Sequence, residues 1–235
     1  MHLIHLNTID EIGGFTGLVH FGLPNRSFEP EILDGNSVPE AARVRAYQEL
    51  QRTHRWLGNT SAILRLLRRD PLPVRRVLDI GCGHGALLQR VRRELGAEVV
   101  GFDLHSAPAD APVTILTGDA VSDPLPQADV AICVCVAHHL TDADLIGLIR
   151  NVSASCRRFI LLDLIRHWMP LALFRTFVGP LLDGLNEHDG VVSLRRSYTP
   201  RELRSVVDKA LEGSSGRVQH SVSPFYIRQV MDISW

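Results

Sequence analysis

At 235 residues the chain is long enough for one domain with a full hydrophobic core and a small appendage. A formal charge of −1 and a pI near 6.8 leave no electrostatic footprint for nucleic acid or another polyanion. The arginines between Arg65 and Arg93 have no interleaved aromatics on which bases could stack, so they read as a solvated face.

The start, MHLIHLNTIDEIGG, lacks the basic segment and apolar core of a secretory signal. Residues 1 to about 37 are rich in Gly and Pro and show no period. From Val38, PEAARVRAYQELQRTHRWL has few breakers and apolar residues at helical intervals, which predicts a helix. Gly58-Asn59 interrupts it, and SAILRLLRR predicts a second helix, stopped by Asp70-Pro71-Leu72-Pro73. Strands and helices then alternate: strand Val77–Ile80, helix Ala86–Leu95 closed by Gly96, strands Val99–Phe102, Thr114–Leu116 and Val130–Val136. Thr141 and Asp144 have capping-box spacing for a helix from about Asp142, and Phe159–Leu162 is a fifth strand. Thr199-Pro200-Arg201-Glu202 is a second capping box, with proline at the first helical position. Strands near Arg217–Ser221 and Tyr226–Val230 close the chain.

This texture predicts an α/β fold with a doubly wound, mostly parallel sheet of seven strands. The expected division is an N-terminal extension and helical cap over residues 1–70 and a main domain over 71–235. An apolar insertion at about 164–198, after the fifth strand, reads as a lid or as plain helical core. Its stretch from Trp168 to Leu185 is broken by Pro170, Arg175, Gly179, Pro180 and Asp183, short of the roughly 20 uninterrupted apolar residues a spanning helix needs. Cys133 and Cys135 share one face of a buried strand, Cys82 sits in a glycine loop and Cys156 stands alone. No spacing suggests a disulfide framework or a cysteine metal site, which fits a soluble protein of the reducing cytoplasm.

The chemistry begins in VLDIGCGHGALLQR, Val77–Arg90. A bare glycine turn between strand and helix lets a ligand approach the backbone. Gly81-Cys82-Gly83-His84-Gly85-Ala86 satisfies the dinucleotide pattern G-x-G-x-x-A, but Asp79, two residues earlier, would repel a pyrophosphate and suits an ammonium group. Asp103 ends the next strand, where an acid can bond both hydroxyls of a ribose. Asp119 in LTGDA can accept from the exocyclic amine of adenine. Each Asp alone is equally an ordinary cap or turn residue. Together they describe S-adenosylmethionine, which has no phosphate.

VLDIGCGHG, VVGFDL, TGDA and ADVAICVCVAHHLTD, in that order, resemble the class I S-adenosylmethionine-dependent methyltransferases, with a Rossmann-like fold. The segments EILDGNSVPEAAR and NEHDGVVSLRRSYTPREL resemble a bacterial small-molecule branch acting on polyketide, phenol or quinone-type compounds of secondary metabolism. The resemblance implies that Gly81 and Gly83, with Cys82 between them, line the methionine part and that Asp79 meets its ammonium. It implies Asp103 on the ribose, Leu104 on the adenine face, Asp119 and the Ala120 backbone at the adenine edge, and Cys135 beside the sulfonium. The product would be S-adenosylhomocysteine.

The sequence lacks the Asn/Asp-Pro-Pro-aromatic motif of amine methylation on DNA bases and the Pro-Cys that attacks cytosine, which disfavours nucleic acid as substrate. His138-His139 stands in that place instead, and Asp163, ending the neighbouring fifth strand, can orient one of them as a general base. The pair can equally cap the next helix. His188, beside Asp189, is a further catalytic candidate in the insertion. Tyr47, Trp56, Trp168, Phe174 and Phe177 are candidate linings for a small, largely apolar acceptor, methylated on phenolic or enolic oxygen first and on carbon second. A non-catalytic cofactor-binding subunit and an NAD-dependent oxidoreductase are the alternatives from other classes. No metal is expected, since no acid and His cluster shows a suitable spacing. The first 25 or so residues match nothing recognisable and either extend the cap or form a homodimer contact.

Overall fold

The computed structural model describes residues 4–5, 23, 25–35, 38–107 and 111–235. The expectation for residues 1–25 therefore lies almost wholly outside the described residues. Seven strands form the sheet that the alternating pattern predicts: β2 (Arg76–Ile80), β3 (Glu98–Asp103), β4 (Ile115–Thr117), β5 (Ala128–Val134), β6 (Cys156–Leu164), β7 (Arg217–Val222) and β8 (Arg228–Ser234). An eighth, β1 (Ile4–His5), adds two residues antiparallel to β7. The order is β1-β7-β8-β6-β5-β2-β3-β4. Neighbours from β4 across to β6 are parallel, and β8 enters antiparallel between β6 and β7. This is a Rossmann-like, doubly wound α/β architecture with a mostly parallel sheet.

Alternation along the strands divides the core in two. Leu78, Ala131, Cys133, Phe159 and Leu161 face α4 (Asp142–Ser155) and α7 (Pro200–Leu211). Val77, Val130, Ile132, Ile160 and Leu162 face α2 (Asn59–Arg68) and α3 (Ala86–Leu95). α2 thus covers the sheet through Ile63, Leu64 and Leu67. The long α1 (Glu40–Trp56) packs on α2 and on α6 (Gly184–Arg196). The insertion after β6 is helical: α5 (Trp168–Leu173), a π-helical turn over Phe174–Val178, a 3-10 turn over Gly179–Leu181, then α6.

Two differences from the sequence pattern matter for the site. β5 ends at Val134 rather than Val136, because Cys135 turns to φ +56° and a 3-10 turn follows over Ala137–His139. Cys133 and Cys135 consequently do not share a face: Cys133 joins the α4–α7 core and Cys135 packs toward the α2–α3 side. β6 runs past Leu162 to Leu164, pairing with the whole of β8, which carries Asp163 to the carboxyl edge of the sheet.

Both capping boxes form. Thr141 Oγ1 accepts from Asp144 N, and Thr199 Oγ1 accepts from Glu202 N. Glu202 also takes two bonds, at 2.6 and 2.9 Å, from the buried guanidinium of Arg166, tying α7 to the end of β6. Thr199→Ala should cost about 1 kcal/mol and lower Tm by about 2–4 °C at this length, with cofactor affinity unchanged. Calorimetric scanning with a parallel ligand titration checks both.

Candidate active site

Between β2 and β5 the strand order reverses, and open α/β sheets bind ligands at the carboxyl ends of the strands beside such a point. The glycine loop leaves β2 there. Gly81 holds φ +69°, and a Cβ on it would stand 2.4 Å from Val136 Cγ2. Gly83 holds φ +52°, and its Cβ direction is open space. The Gly83 N–H donates to Asp103 Oδ2 at 2.8 Å, and His105 N donates to Oδ1 at 2.9 Å, so Asp103 anchors the loop across two strands. Cys82 turns its sulfur beneath the loop, where a Cβ on Gly101 would meet Sγ at 2.5 Å.

Asp79 is 2% exposed and, among the described residues, no donor reaches its carboxylate. Burial, with the nearby charge of Asp103, pushes it well above the usual carboxylate range. A buried acid without a partner at the mouth of a glycine loop fits a cationic ligand group. Leu104 is 67% exposed beside it and offers an apolar surface to a flat ring. Asp119 lies farther along, with its oxygens already accepting from Val121 N and Ser122 Oγ at 3.0 Å each. The turn reading of Asp119 is therefore real, and each oxygen keeps a lone pair for a ligand.

These residues line one cavity of about 1040 Å³. Asp79, Gly81, Cys82, Gly83, Asp103, Leu104, Asp119, Ala120 and Cys135 stand at one end. The cavity continues to His138 and His139 and is walled by Leu173, Phe174, Phe177 and Val178 of the insertion. Tyr47 lines it from α1, whereas Trp56 and Trp168 stand outside it.

Asp163 is buried at the end of β6 and takes three bonds: from His138 N at 2.8 Å, from Leu164 N at 2.7 Å and from His138 Nδ1 at 2.7 Å. The pairing of Asp163 with one histidine, open in the sequence, falls to His138. Burial alone would lower the His138 pKa, but the Asp163 and Glu31 carboxylates outweigh it and hold the imidazole at about 9. His139 is 27% exposed and places Nδ1 3.2 Å from Asp34 Oδ2.

His188 is a correction. It stands outside this cavity, beside a separate hollow with Glu29 and Glu187, and its side chain is 46% exposed. Neighbouring residues on a helix diverge by about 100°, so α6 turns Asp189 inward instead. The Asp189 carboxylate accepts from Ile32 N at 2.8 Å and Leu33 N at 2.9 Å, fixing a turn of the 25–35 segment. That turn brings in residues the sequence reading missed. Glu31 and Asp34 meet the histidines from more than 100 positions away, so no spacing announced them, and the acid–His cluster judged absent from local spacing is assembled by the fold. His54 also lines the cavity, and burial plus the charge of His138 lower its pKa to about 4, keeping it neutral. Its only sequence signal was its place on the inner face of a predicted helix.

The parallel sheet, the glycine loop and three strand-end acids define a fold built to hold a cationic nucleoside. Residues 47–210 match the family described as "Methyltransferase domain", and the chain belongs to it, as a class I S-adenosylmethionine-dependent methyltransferase. Similar proteins include acetylserotonin O-methyltransferase of Bos taurus, 30% identical over 148 residues, covering 58% of this chain and 41% of that protein. Ubiquinone biosynthesis O-methyltransferase of Pseudomonas entomophila (strain L48) is 29% identical over 131 residues, covering 46% and 53%. The chain thus spans about half or less of the curated relatives it matches. Among solved structures, the plantazolicin methyltransferase BpumL, in complex with a monoazolic desmethylPZN analog and SAH, superposes with TM-score 0.64 at 13% identity, covering 83% of this chain and 90% of that one. Human N-acetylserotonin methyltransferase in complex with SAM gives TM-score 0.53 at 20% identity, covering 81% and 55%. These two likenesses concern the fold.

The glycine geometry yields a paired prediction. Gly83→Ala should fold, its left-handed strain of about 1–2 kcal/mol lowering Tm by roughly 2–8 °C. The new methyl projects into the cavity and should weaken S-adenosylhomocysteine binding about tenfold or more. Gly81→Ala drives a methyl into Val136 and should accumulate little folded protein. Calorimetric titration of Gly83→Ala at wild-type affinity would refute the cradle.

Proposed function

We propose that this chain transfers a methyl group from S-adenosylmethionine to the oxygen of a small, largely apolar phenol or enol. The observation that carries the reading is the single cavity joining Asp79, Asp103 and Asp119 to the histidine turn beneath an apolar wall. Asp79 receives the cofactor's ammonium, Asp103 its ribose, and Asp119 with Ala120 its adenine edge. Gly81, Cys82 and Gly83 shape the loop around the methionine part, Leu104 packs on the base, and Cys135 borders the sulfonium.

When bound, the cofactor would supply a methyl activated by positive sulfur, which the acceptor oxygen would take while the electron pair of the broken carbon–sulfur bond stayed on sulfur. What remains for the chain is positioning and control of the hydroxyl proton. The hydroxyl proton passes to the cluster of His138, His139 and Glu31 as general base, and the resulting oxyanion faces an imidazolium rather than the Glu31 carboxylate, with Asp163 and Asp34 orienting the two rings. Residues 164–198 act as the lid and, with the cap over residues 1–70, exclude water from the transfer. The names of the curated relatives support oxygen as acceptor, and carbon is the alternative. Among the described residues all four cysteines are free, which supports the cytoplasm, and no helix is long and apolar enough to cross a membrane.

Thermal unfolding with each nucleotide in excess tests the cofactor. At about 100 times Kd, S-adenosylmethionine or S-adenosylhomocysteine adds about 2.7 kcal/mol and should raise Tm by roughly 5–10 °C, with NAD inert. A shift with NAD alone would mean that the loop holds a pyrophosphate. Incubation with a panel of phenols and enols should then produce S-adenosylhomocysteine and an O-methyl product. A saturated enzyme that turns over none of them sinks the acceptor assignment.

A further inference from the structure

His138 and His139 are clamped from behind in the same way. Asp163 Oδ1 lies 2.7 Å from Nδ1 of the first and Asp34 Oδ2 lies 3.2 Å from Nδ1 of the second. A carboxylate accepts, so each Nδ1 keeps its proton and Nε2 is the atom each ring offers to a cation, which on His138 takes the place of the Nε2 proton. Both Nε2 atoms turn toward one oxygen: Glu31 Oε1 is 3.5 Å from that of His138 and 3.7 Å from that of His139. The three atoms all lie within 4.8 Å of one another and line the cavity wall.

We propose that Glu31, His138 and His139 bind a divalent transition-type cation, such as Zn²⁺, Mn²⁺ or Fe²⁺, at the acceptor end of the cavity. The inference rests on reading that end as the acceptor site. Two imidazoles with one carboxylate suit these ions better than Mg²⁺ or Ca²⁺, which prefer all-oxygen sets. A hydrogen bond from the other ring nitrogen to a carboxylate is the usual support of a metal-bound histidine, and here both rings have it. Donors about 2.1 Å from a common ion stand about 3.0–3.4 Å apart, so the Glu31 separations of 3.5 and 3.7 Å are close to the required ones, and the imidazole ligand atoms, within 4.8 Å of each other, draw together on binding.

Charge balance agrees. Glu31, Asp34 and Asp163 bring three negative charges, and Arg196, 3.2 Å from Asp34 Oδ2, offsets one. A dication neutralises the remaining two with both imidazoles uncharged. Three protein donors also leave coordination positions open to the cavity. A hydroxyl entering there would lose its proton to solvent on binding and present an oxyanion to the methyl carbon.

The test uses full-length protein stripped with a chelator and then titrated with Co²⁺, followed by its visible absorption, and with Zn²⁺ by calorimetry. One Co²⁺ per chain is expected, displaced by Zn²⁺. Glu31→Gln and His139→Ala should abolish the signal, and Asp34→Asn should weaken binding about 10–100-fold. S-Adenosylhomocysteine affinity, measured on every variant, verifies that each is folded, which matters most for the buried His138. No saturable Co²⁺ or Zn²⁺ binding, or binding unchanged in Glu31→Gln and His139→Ala, overturns the site. Full turnover of the stripped enzyme in chelator also overturns the cation while leaving methyl transfer standing. Cation binding without S-adenosylhomocysteine binding would instead overturn the methyltransferase reading of the cavity.

Discussion

The carboxylate of Asp163 holds the active-site half of this molecule together. Burying an anion costs several kcal/mol unless its lone pairs are filled, and Asp163 fills them with two backbone N–H groups and one imidazole. One of those N–H groups belongs to the turn after β5 and the other to the last residue of β6, so one side chain fastens two adjacent strand ends. The β5 turn must bend sharply to comply. Cys135 takes a left-handed conformation that a side chain adopts reluctantly, at about 1–2 kcal/mol. Strain at that residue is what swings His138 and His139 off the strand and into the cavity.

A second fastening comes from the chain's own N-terminal side. Arg26 stacks on Tyr198 at 3.7 Å and donates to the carbonyls of His138 and Leu140, while Arg196 donates to those of Glu29 and His139. These guanidiniums hold the 25–35 segment over the histidine turn, and Asp189 on α6 secures its next turn. The proposed acceptor end of the cavity is therefore assembled from four distant regions: the segment around Glu31, α1 with His54, the strand ends of β5 and β6, and the helices of the insertion. The cofactor end, by contrast, comes almost entirely from the continuous run between β2 and the turn after β4.

That contrast explains what was readable in advance. The cofactor end is local: a glycine loop, an acid two residues before it, an acid at the end of the next strand. Each is a short-range pattern with a chemical meaning, and the parallel sheet then stacks them by register. Asp119 shows the limit even there, since its carboxylate is both turn and candidate ligand contact. The acceptor end is non-local. His188 and Asp189 are adjacent in sequence and equally eligible as acid–base residues, yet α6 sends one outward and the other inward. Trp56 and Trp168 are apolar and near the right elements, yet face away.

The amino-acid order alone determined the strand–helix alternation, both capping boxes, the glycine cradle and the three acids that surround it, because periodicity and turn chemistry act over a few residues. Tertiary structure alone decided that Asp163 pairs with His138, that β5 stops early at Cys135, and that Glu31 and Asp34 join the two histidines. Those outcomes depend on the register of β6 against β5 and β8 and on the path of a segment whose contacts lie more than 100 residues away. No spacing rule along the chain carries that information, since it is written in packing.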